Sequence, residues 1–342
     1  MSTRTTTKIG GLTLPNPVIC GSGEPLITEA GIRAALAAGA GGVIAKSVNE
    51  RPGAAKQLDL ADYAALDVDG ARSFLNRSGL TPRETGEWFG AIAAIDREAA
   101  QTGRFVAASI VLASHEGAVK IAGMSREAGL RVFELNVGAP HVSEATPGAI
   151  TQEDDPDRLR VLVSQVRRVT QGMQLWVKLT GLSSNLPALA MAAQQGGADA
   201  VCMMGRFMAM VPDLETFNPV LGTSAAYGGG WALPIVCRFL ALSRRAVGPD
   251  FPLIGTNGVR SGEDVARMAL AGASAIEALS IVMHEGFGGI TRMIGELDAF
   301  LSGRGLEFSG LIGQTADRLA GYDAQSTELG RWRNHVPPET LA

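Results

Sequence analysis

Residues 252–280 read PLIGTNGVRSGEDVARMALAGASAIEALS, which contains a strand, a loop, a helix and a second strand in succession. The apolar run Pro252–Thr256 predicts a strand buried on both faces, because polar residues do not alternate along it. Ser261 stands where a helix N-cap is expected, and Gly-Glu-Asp after it gives an acidic first turn. The helix Ser261–Ala271 leads into the apolar strand Ala275–Ala278. This order is typical of parallel α/β proteins.

The same unit recurs along the whole chain. The predicted strands are Pro17–Cys20, Gly42–Lys46, Phe105–Ile110, Val132–Leu135, Leu175–Leu179, Ala200–Met204, Pro252–Thr256 and Ala275–Ala278. The predicted helices are Thr28–Ala38, Glu84–Ala100, Ser114–Gly129, Pro156–Thr170, Asn185–Gly196, Leu233–Val247, Ser261–Ala271 and Glu285–Leu301. Alternating units in this number predict an α/β fold of the (β/α)8 TIM barrel type.

The rival architecture is a doubly wound open sheet, but its fingerprint GxGxxG is present only as a fragment in Cys20–Glu24. We expect one barrel over residues 1–303 with an N-terminal hairpin at its bottom, and a polar C-terminal extension over 304–342. Two long connections, Ser47–Arg83 and Gly205–Ala232, exceed ordinary loop length, so we expect them to be functional or disordered.

Composition excludes several classes of function. The net charge is −4 and no basic run occurs, so we expect no nucleic-acid partner. The polar N-terminus and the lack of a long apolar stretch predict a cytoplasmic protein without a membrane segment. The free thiols Cys20, Cys202 and Cys237 lie too far apart for an iron–sulfur cluster. We expect no metal, because His, Cys and carboxylate residues do not cluster at ligand spacing.

Functional residues of a barrel follow the carboxyl ends of its strands. Residues 254–259 read IGTNGV and lead into a helix, and Leu279-Ser280 follow the last strand; this pair of junctions is the common phosphate site of such barrels, although a plain tight turn is the alternative. The glycine run 228–230 also permits close approach of a ligand. Lys46 and Lys178 end two strands at the barrel mouth. A cation is costly there unless it contacts an anionic or electron-rich ligand, or alternatively pairs with a carboxylate.

These residues lie in a series of longer motifs. In chain order the motifs are Asn16-Pro17-Val18, Cys20–Gly23, Gly39–Ser47, Glu134–His141, Val177–Thr180, Tyr227–Gly229 and Gly255–Gly262. Together they resemble the dihydroorotate dehydrogenases and the flavin domain of dihydropyrimidine dehydrogenase, over about residues 8 to 303. The resemblance implies an FMN-dependent oxidoreductase that acts on a small molecule, uses an electron acceptor or donor that the sequence does not identify, and forms a homodimer.

The resemblance also implies roles for individual residues. The residues expected to bind FMN are Gly21, Ser22, Lys46, Ser47, Asn136, Lys178, Gly228, Gly229, Asn257, Gly258, Leu279 and Ser280. The residues expected to bind the substrate are Asn76, Arg77, Asn136, His141, Met203 and Arg206. The catalytic candidates are Lys46, Asn136 and His141. His141 titrates near neutral pH, so it is the best remaining acid–base group.

The sequence departs from the family pattern at two places. Where the family has a Cys or Ser that removes a proton from the substrate, this chain has Ala139, whose methyl group accepts no proton. Where the family has Asn followed by Thr or Ser, this chain reads Cys202-Met203-Met204, which is unfavourable for the polar atoms of a pyrimidine. Both departures predict a substrate other than dihydroorotate.

Three hypotheses remain open at this point. The first is hydride transfer between flavin N5 and a small cyclic amide or aromatic substrate. The second is a flavin-dependent bond-cleaving or oxygen-using reaction on a non-pyrimidine substrate, which needs no base at Ala139. The third is a non-catalytic flavoprotein, against which the retained Lys46, Lys178, Asn76 and Asn136 argue.

Overall fold

The computed structural model describes residues 3–51, 61–68, 71–139, 152–321, 323–324 and 330–341. The strands are β1 Thr7–Ile9, β2 Leu12–Leu14, β3 Val18–Cys20, β4 Gly42–Ile44, β5 Asp62–Val68, β6 Ala71–Arg77, β7 Phe105–Val111, β8 Val132–Asn136, β9 Gln174–Lys178, β10 Ala200–Met203, β11 Phe207–Ala209, β12 Ala225–Gly229, β13 Leu253–Thr256 and β14 Ala273–Ala278. The α-helices are α1 Glu29–Ala37, α2 Thr85–Ala100, α3 His115–Glu127, α4 Pro156–Val169, α5 Leu186–Gln195, α6 Leu233–Val247, α7 Gly262–Leu270, α8 Ser280–Glu285 and α9 Gly288–Ser302.

Eight strands form a closed parallel barrel in the order β3-β4-β7-β8-β9-β10-β13-β14, and β14 pairs back to β3. Helices lie between successive barrel strands, so the predicted (β/α)8 TIM barrel is confirmed. The predicted N-cap at Ser261 is confirmed as well, and α1 begins with a cap of the same kind. Thr28 accepts a hydrogen bond from Gly31 N before α1, and Ser261 accepts one from Asp264 N before α7.

Side chains of the barrel strands alternate between its interior and the surrounding helices. In β8, Val132 belongs to the interior cluster, and Glu134 and Asn136 follow it at intervals of two residues. Phe133 and Leu135 pack in the outer cluster with the helices. This alternation sets which strand residues reach the carboxyl end of the barrel interior.

The opposite end of the barrel is closed by the antiparallel hairpin β1–β2. Ile9 and Leu14 of this hairpin pack in the interior cluster with Phe105 and Val132, which begin β7 and β8. Burial of these apolar side chains excludes water from that end of the barrel. The functional site is consequently restricted to the carboxyl ends of the strands.

A second sheet lies at the barrel mouth, with the strand order β11-β12-β6-β5 and antiparallel pairing. We call it the mouth sheet. The long connections after the second and sixth barrel strands supply its strands, so in the described residues these connections are partly regular structure. The glycine run 228–230 was expected in a loop, but Gly228 and Gly229 lie in β12.

The last predicted helix is wrong at its start. Instead of one helix from Glu285, the chain forms α8 and then α9, and Gly286 between them adopts φ +69°. Left-handed backbone of this kind ends a helix and favours glycine. After α9 the chain forms short 3-10 helices, of which Phe308 and Leu311 are buried. In the described part of the chain, no helix has the length and apolarity to cross a membrane.

Candidate active site

An open cleft of about 840 Å3 lies between the carboxyl ends of the barrel strands and the mouth sheet. Predicted site residues that line it are Gly21, Ser22, Asn76, Lys178, Arg206, Gly228, Asn257, Gly258, Leu279 and Ser280. The phosphate-site candidates after β13 and β14 therefore share one cavity with the flavin-ring candidates after β3 and β9. The mouth sheet adds Tyr63 and Phe74 to the walls, which the sequence did not predict.

A smaller pocket of about 500 Å3 adjoins the cleft. Ser22, Lys178, Gly205 and Arg206 line both cavities, so the two are continuous at these residues. The other predicted residues that line this side pocket are Lys46, Ser47, Asn136 and Ala139. Ala139 belongs to the wall of this side pocket together with Asn136.

Lys46 pairs with a carboxylate that the sequence did not point to. Its Nζ donates to Glu24 Oε1 at 2.9 Å, and Tyr63 Oη donates to the other oxygen of Glu24. Burial lowers the pKa of Lys46 to about 8, although the charge of Glu24 opposes that shift. Burial alone would raise the pKa of Glu24. The charge of Lys46 and the hydrogen bond from Tyr63 outweigh burial, so the pKa of Glu24 lies below its usual value. The pair is thus a charged group at the side pocket.

Lys178 lies between two buried carboxylates inside the barrel. Its Nζ donates to Glu277 Oε2 and reaches Glu134 Oε2 at 3.5 Å. Burial raises the pKa of Glu134 to about 8, helped by the charge of Glu277 and opposed by Lys178. Burial acts in the same direction on Glu277, but the charge of Lys178 outweighs it and keeps that pKa below its usual value. At neutral pH we therefore expect Glu134 protonated and Glu277 ionised.

Cys202 completes this cluster, and one ligand atom each from Glu134, Cys202 and Glu277 lies within 4.8 Å of the others. Such a group is a possible metal site by composition. Here the ammonium of Lys178 contacts both carboxylates, so a cation already balances their charge. Burial and the charge of Glu277 also raise the pKa of the Cys202 thiol, which disfavours the thiolate that a metal needs.

The raised pKa of Glu134 makes the stability of the protein depend on pH. A carboxyl group whose pKa is raised on folding binds more protons in the folded state than in the unfolded state. The free energy of unfolding therefore falls between pH 4.5, the pKa of Glu134 in the unfolded chain, and about pH 8, its pKa in the folded protein. We expect Glu134→Gln to make this fall less steep, as measured by denaturant unfolding at a series of pH values. Glu116→Gln, at an exposed position on α3, is the control. Parallel pH profiles for the wild type and Glu134→Gln would contradict the assignment.

Three predicted site residues lie outside both cavities. Side chains alternate along β10, and Cys202 takes the inward position. Met203 therefore points outward into the helix-facing core, where it is fully buried. Met204, the next residue, lines the cleft instead. Arg77 is exposed on β6, 3.6 Å from Asp62, because Asn76 takes the cleft-facing position. Gly229 faces Ser73 within the mouth sheet, and a Cβ atom on Gly229 would lie 2.2 Å from the hydroxyl oxygen of Ser73. His141 lies outside the described residues.

Sequence reasoning missed Glu24, Tyr63, Glu134, Glu277 and Ser109. The signal for the two barrel glutamates was present. Each stands inside an apolar strand run, in Phe-Glu-Leu and in Ile-Glu-Ala, where an acid is costly unless it has a partner. Lys178 on β9 is that partner, and the two-residue period places all three side chains inside the barrel. No comparable signal marked Tyr63, since its role depends on pairing within the mouth sheet.

The geometry agrees with the comparison to known proteins. Residues 4–301 match the family profile described as dihydroorotate dehydrogenase. The catalytic subunit of dihydroorotate dehydrogenase B (NAD(+)) from Methanocella arvoryzae is 30% identical over 310 residues, which cover 90% of this chain and 96% of that protein. The protein of the same name from Methanosarcina mazei is 31% identical over 298 residues, which cover 86% and 90%.

A shorter match is to a putative dihydroorotate dehydrogenase A (fumarate) of Solibacter usitatus, 37% identical over 157 residues, or 45% of this chain and 49% of that protein. These names give no support to the expectation that dihydroorotate is excluded as a substrate. The family profile extends over the barrel and over the residues that line both cavities. The chain therefore belongs to the dihydroorotate dehydrogenase family of FMN-dependent oxidoreductases, as its motifs predicted.

Proposed function

We propose that this protein holds FMN in the cleft and transfers hydride between flavin N5 and a small cyclic amide in the side pocket. The observation that carries the proposal is the continuity of the two cavities at Ser22 and Lys178. A ring in the cleft and a second ring in the side pocket would meet there. The flavin would supply the hydride acceptor or donor, which the amino-acid side chains do not provide.

The walls of the cleft fit a flavin ring. Glu277 Oε1 is buried, and within the described residues it has no hydrogen-bond partner, so an N–H group of a bound ring would satisfy it. Gly228 brings backbone against the cavity, because a Cβ there would come within 2.9 Å of Asn257 Oδ1. Lys178 adds a cation at the same edge, partly neutralised by its two carboxylates.

The part of the cleft that follows β13 and β14 fits a phosphate. Asn257 and Gly258 adopt φ +75° and +91°, a backbone bend that Asn and Gly favour, and both line the cavity beside Ser280. Next to them, His284 has a pKa below its usual value, first through burial and then through the charges of Arg260 and Arg72. Arg260 and Arg72 thus contribute positive charge at His284, opposed by Glu285 and Asp67, and positive charge favours an anionic phosphate.

The side pocket supports an amide substrate. Asn136 lines it, and its Oδ1 accepts from Gly138 N at 2.9 Å, which fixes the orientation of the amide. Asn76 lines the neighbouring cleft from the mouth sheet, and Arg206 lines both cavities. Amide donors and acceptors with a nearby guanidinium suit a planar ring that carries carbonyl, N–H and anionic groups. Dihydroorotate has these groups, so it is the first substrate to test.

The test begins with the visible spectrum of the purified protein, followed by anaerobic addition of dihydroorotate or dihydrouracil. We expect a yellow protein that releases FMN on denaturation and is bleached slowly, because Ala139 offers no direct base. A colourless protein that does not take up added FMN would refute the cofactor proposal. A yellow protein that no cyclic amide bleaches, but that consumes oxygen after photoreduction and forms an oxygenated product, would favour the oxygen-using alternative.

The homodimer and the identity of the electron acceptor are finer proposals. Light scattering of the FMN-loaded protein tests the first, with a mass of twice 35.6 kDa as the expected result. Reoxidation of the bleached protein by NAD+, fumarate or a quinone, compared under anaerobic conditions, tests the second. The names of the relatives include NAD(+) and fumarate, which makes these two the first acceptors to compare.

A further inference from the structure

A row of serine hydroxyls connects the wall of the side pocket with the barrel interior. Ser22 Oγ lies 3.1 Å from Ser47 Oγ, and Ser47 Oγ lies 2.9 Å from Ser109 Oγ. Ser109 Oγ donates to Glu134 Oε1 at 3.0 Å. The four side chains come from different segments of the chain, following or within β3, β4, β7 and β8, so only the closed barrel brings them into line.

The two ends of this row have different surroundings. Ser22 lines both cavities, and Ser47 lines the side pocket together with Ala139. Ser109 and Glu134 are 1% and 0% exposed, and neither lines the cleft or the side pocket. The row therefore leads from the place where a ligand would lie to a carboxyl group that bulk water does not reach.

Each hydroxyl in the row both donates and accepts a hydrogen bond. When Glu134 is ionised, the hydrogens point towards it, because a carboxylate accepts hydrogen bonds and cannot donate them. When Glu134 is protonated on Oε1, its hydrogen points to Ser109 and every donor in the row reverses, whereas a proton on the other oxygen is shared with Glu277. Moving one proton along the row thus requires only that each hydroxyl releases one hydrogen and receives another.

The groups that face Glu134 make this proton exchangeable. Lys178 from β9 and Glu277 from β14 carry opposite charges, and Cys202 from β10 and Ser109 from β7 are neutral neighbours. The Lys178–Glu277 pair is close to neutral as a unit, so it neither fixes Glu134 as an anion nor prevents its ionisation. Burial then holds the pKa of Glu134 at about 8, near the pH at which an enzyme works.

We propose that Ser22, Ser47 and Ser109 form a proton relay that joins the side pocket to Glu134 and supplies the acid–base group that Ala139 lacks. The catalytic part of this inference rests on the proposed hydride transfer. Substrate oxidation uses the ionised form of Glu134, whose fraction grows as pH rises towards 8. Hydride leaves one substrate atom for the flavin and a proton leaves its neighbour for Ser22. Each serine passes one proton on, and an O–H bond forms at Glu134. Reduction of the substrate runs the same steps backwards.

The relay itself is tested without any substrate, by infrared spectroscopy of the FMN-loaded protein at pH 6. We expect a protonated-carboxyl band that disappears in Glu134→Gln and that shifts promptly when the buffer is exchanged for D2O. In Ser109→Ala the shift should slow at least tenfold, because the space left by a hydroxyl is too small for a replacing water. Ser109→Thr, which keeps a hydroxyl, should restore the exchange.

Matched controls separate the relay from general effects of substitution. Ser243 is as deeply buried as Ser109, and among the described residues its hydroxyl has no hydrogen-bond partner, so Ser243→Ala should exchange as the wild type does. Ser47→Ala interrupts the row at a second point and should reproduce the slow exchange. If Ser109→Ala and Ser47→Ala both exchange at the wild-type rate, or if no carboxyl band depends on Glu134, the relay is wrong.

The role in catalysis is tested by the rate of anaerobic flavin bleaching by dihydroorotate across pH 5–9. We expect Ser109→Ala to lower the rate tenfold or more and to remove the pH dependence attributed to Glu134, with recovery in Ser109→Thr. Slowed infrared exchange with unchanged bleaching would overturn the catalytic role of the relay. A wild type that dihydroorotate does not bleach would count against the proposed function for this substrate, whereas the exchange measurement would still decide the relay.

Discussion

Ala139→Cys is expected to accelerate the oxidation of dihydroorotate by roughly 100-fold or more, because a positioned general base typically contributes about 10²–10⁴-fold to a rate. Ala139 lines the side pocket beside Asn136, so a thiol at this position would face the ligand. Among the described residues, the small apolar cluster around Ala139 consists of Leu80 and Val111, and Cys is a modest increase in volume. Anaerobic stopped-flow measurement of flavin bleaching above pH 8, where more of the thiol is ionised, gives the rate directly.

Two further variants show whether the gain comes from the base. Ala139→Val fills the same space without an ionisable group and should not be faster than the wild type. Combining Ala139→Cys with Ser109→Ala should give nearly the rate of Ala139→Cys alone, because the proton then passes directly to the thiolate. If Ala139→Cys and Ala139→Val bleach equally slowly, the missing base is not what limits dihydroorotate oxidation in this protein.

The fold was predictable because its determinants are local. Each barrel strand is an unbroken apolar run, and helix starts such as Thr28 and Ser261 carry their capping residue in the sequence. The mouth sheet was not predicted, although Asp69-Gly70 between alternating residues is a typical hairpin sequence. Its strands come from connections far apart in the chain, and β6 pairs with β12 across about 150 residues, which no local pattern specifies.

The site was predictable where a motif carried it and unpredictable where it depends on partners. Asn136 and Lys178 end barrel strands and Asn257 follows one, so their position at the mouth came from the fold itself. The pairing of Lys46 with Glu24 was an open alternative that only three-dimensional proximity decided. Met203 was expected to contact the substrate because of its place in the motif after the sixth strand. The alternation of side chains along β10 instead directs Met203 towards the helices and Cys202 towards the barrel interior.

Lys178→Met is expected to lower the free energy of unfolding by about 3–5 kcal/mol, the usual cost of removing one member of a buried ion pair. Lys178 is the cation between Glu277 and Glu134, whose side chains are both fully buried. Without it, Glu277 must ionise without a partner or take up a proton. The loss should grow as pH rises towards and above 8, because Glu134 then ionises beside Glu277. Denaturant unfolding of the flavin-free protein measures this effect without a contribution from cofactor binding.

Addition of Glu277→Gln distinguishes an unpaired charge from simple loss of packing. The neutral amide keeps the shape of the carboxyl group and removes its charge, so the double variant should recover a large part of the stability that Lys178→Met loses. Lys120→Met, at an exposed position on α3, should stay within about 0.5 kcal/mol of the wild type. A double variant as unstable as Lys178→Met would mean that the methylene chain of Lys178, rather than its charge, stabilises the barrel interior. Recovery would instead show that this barrel keeps a cation in its core because two acids there require it.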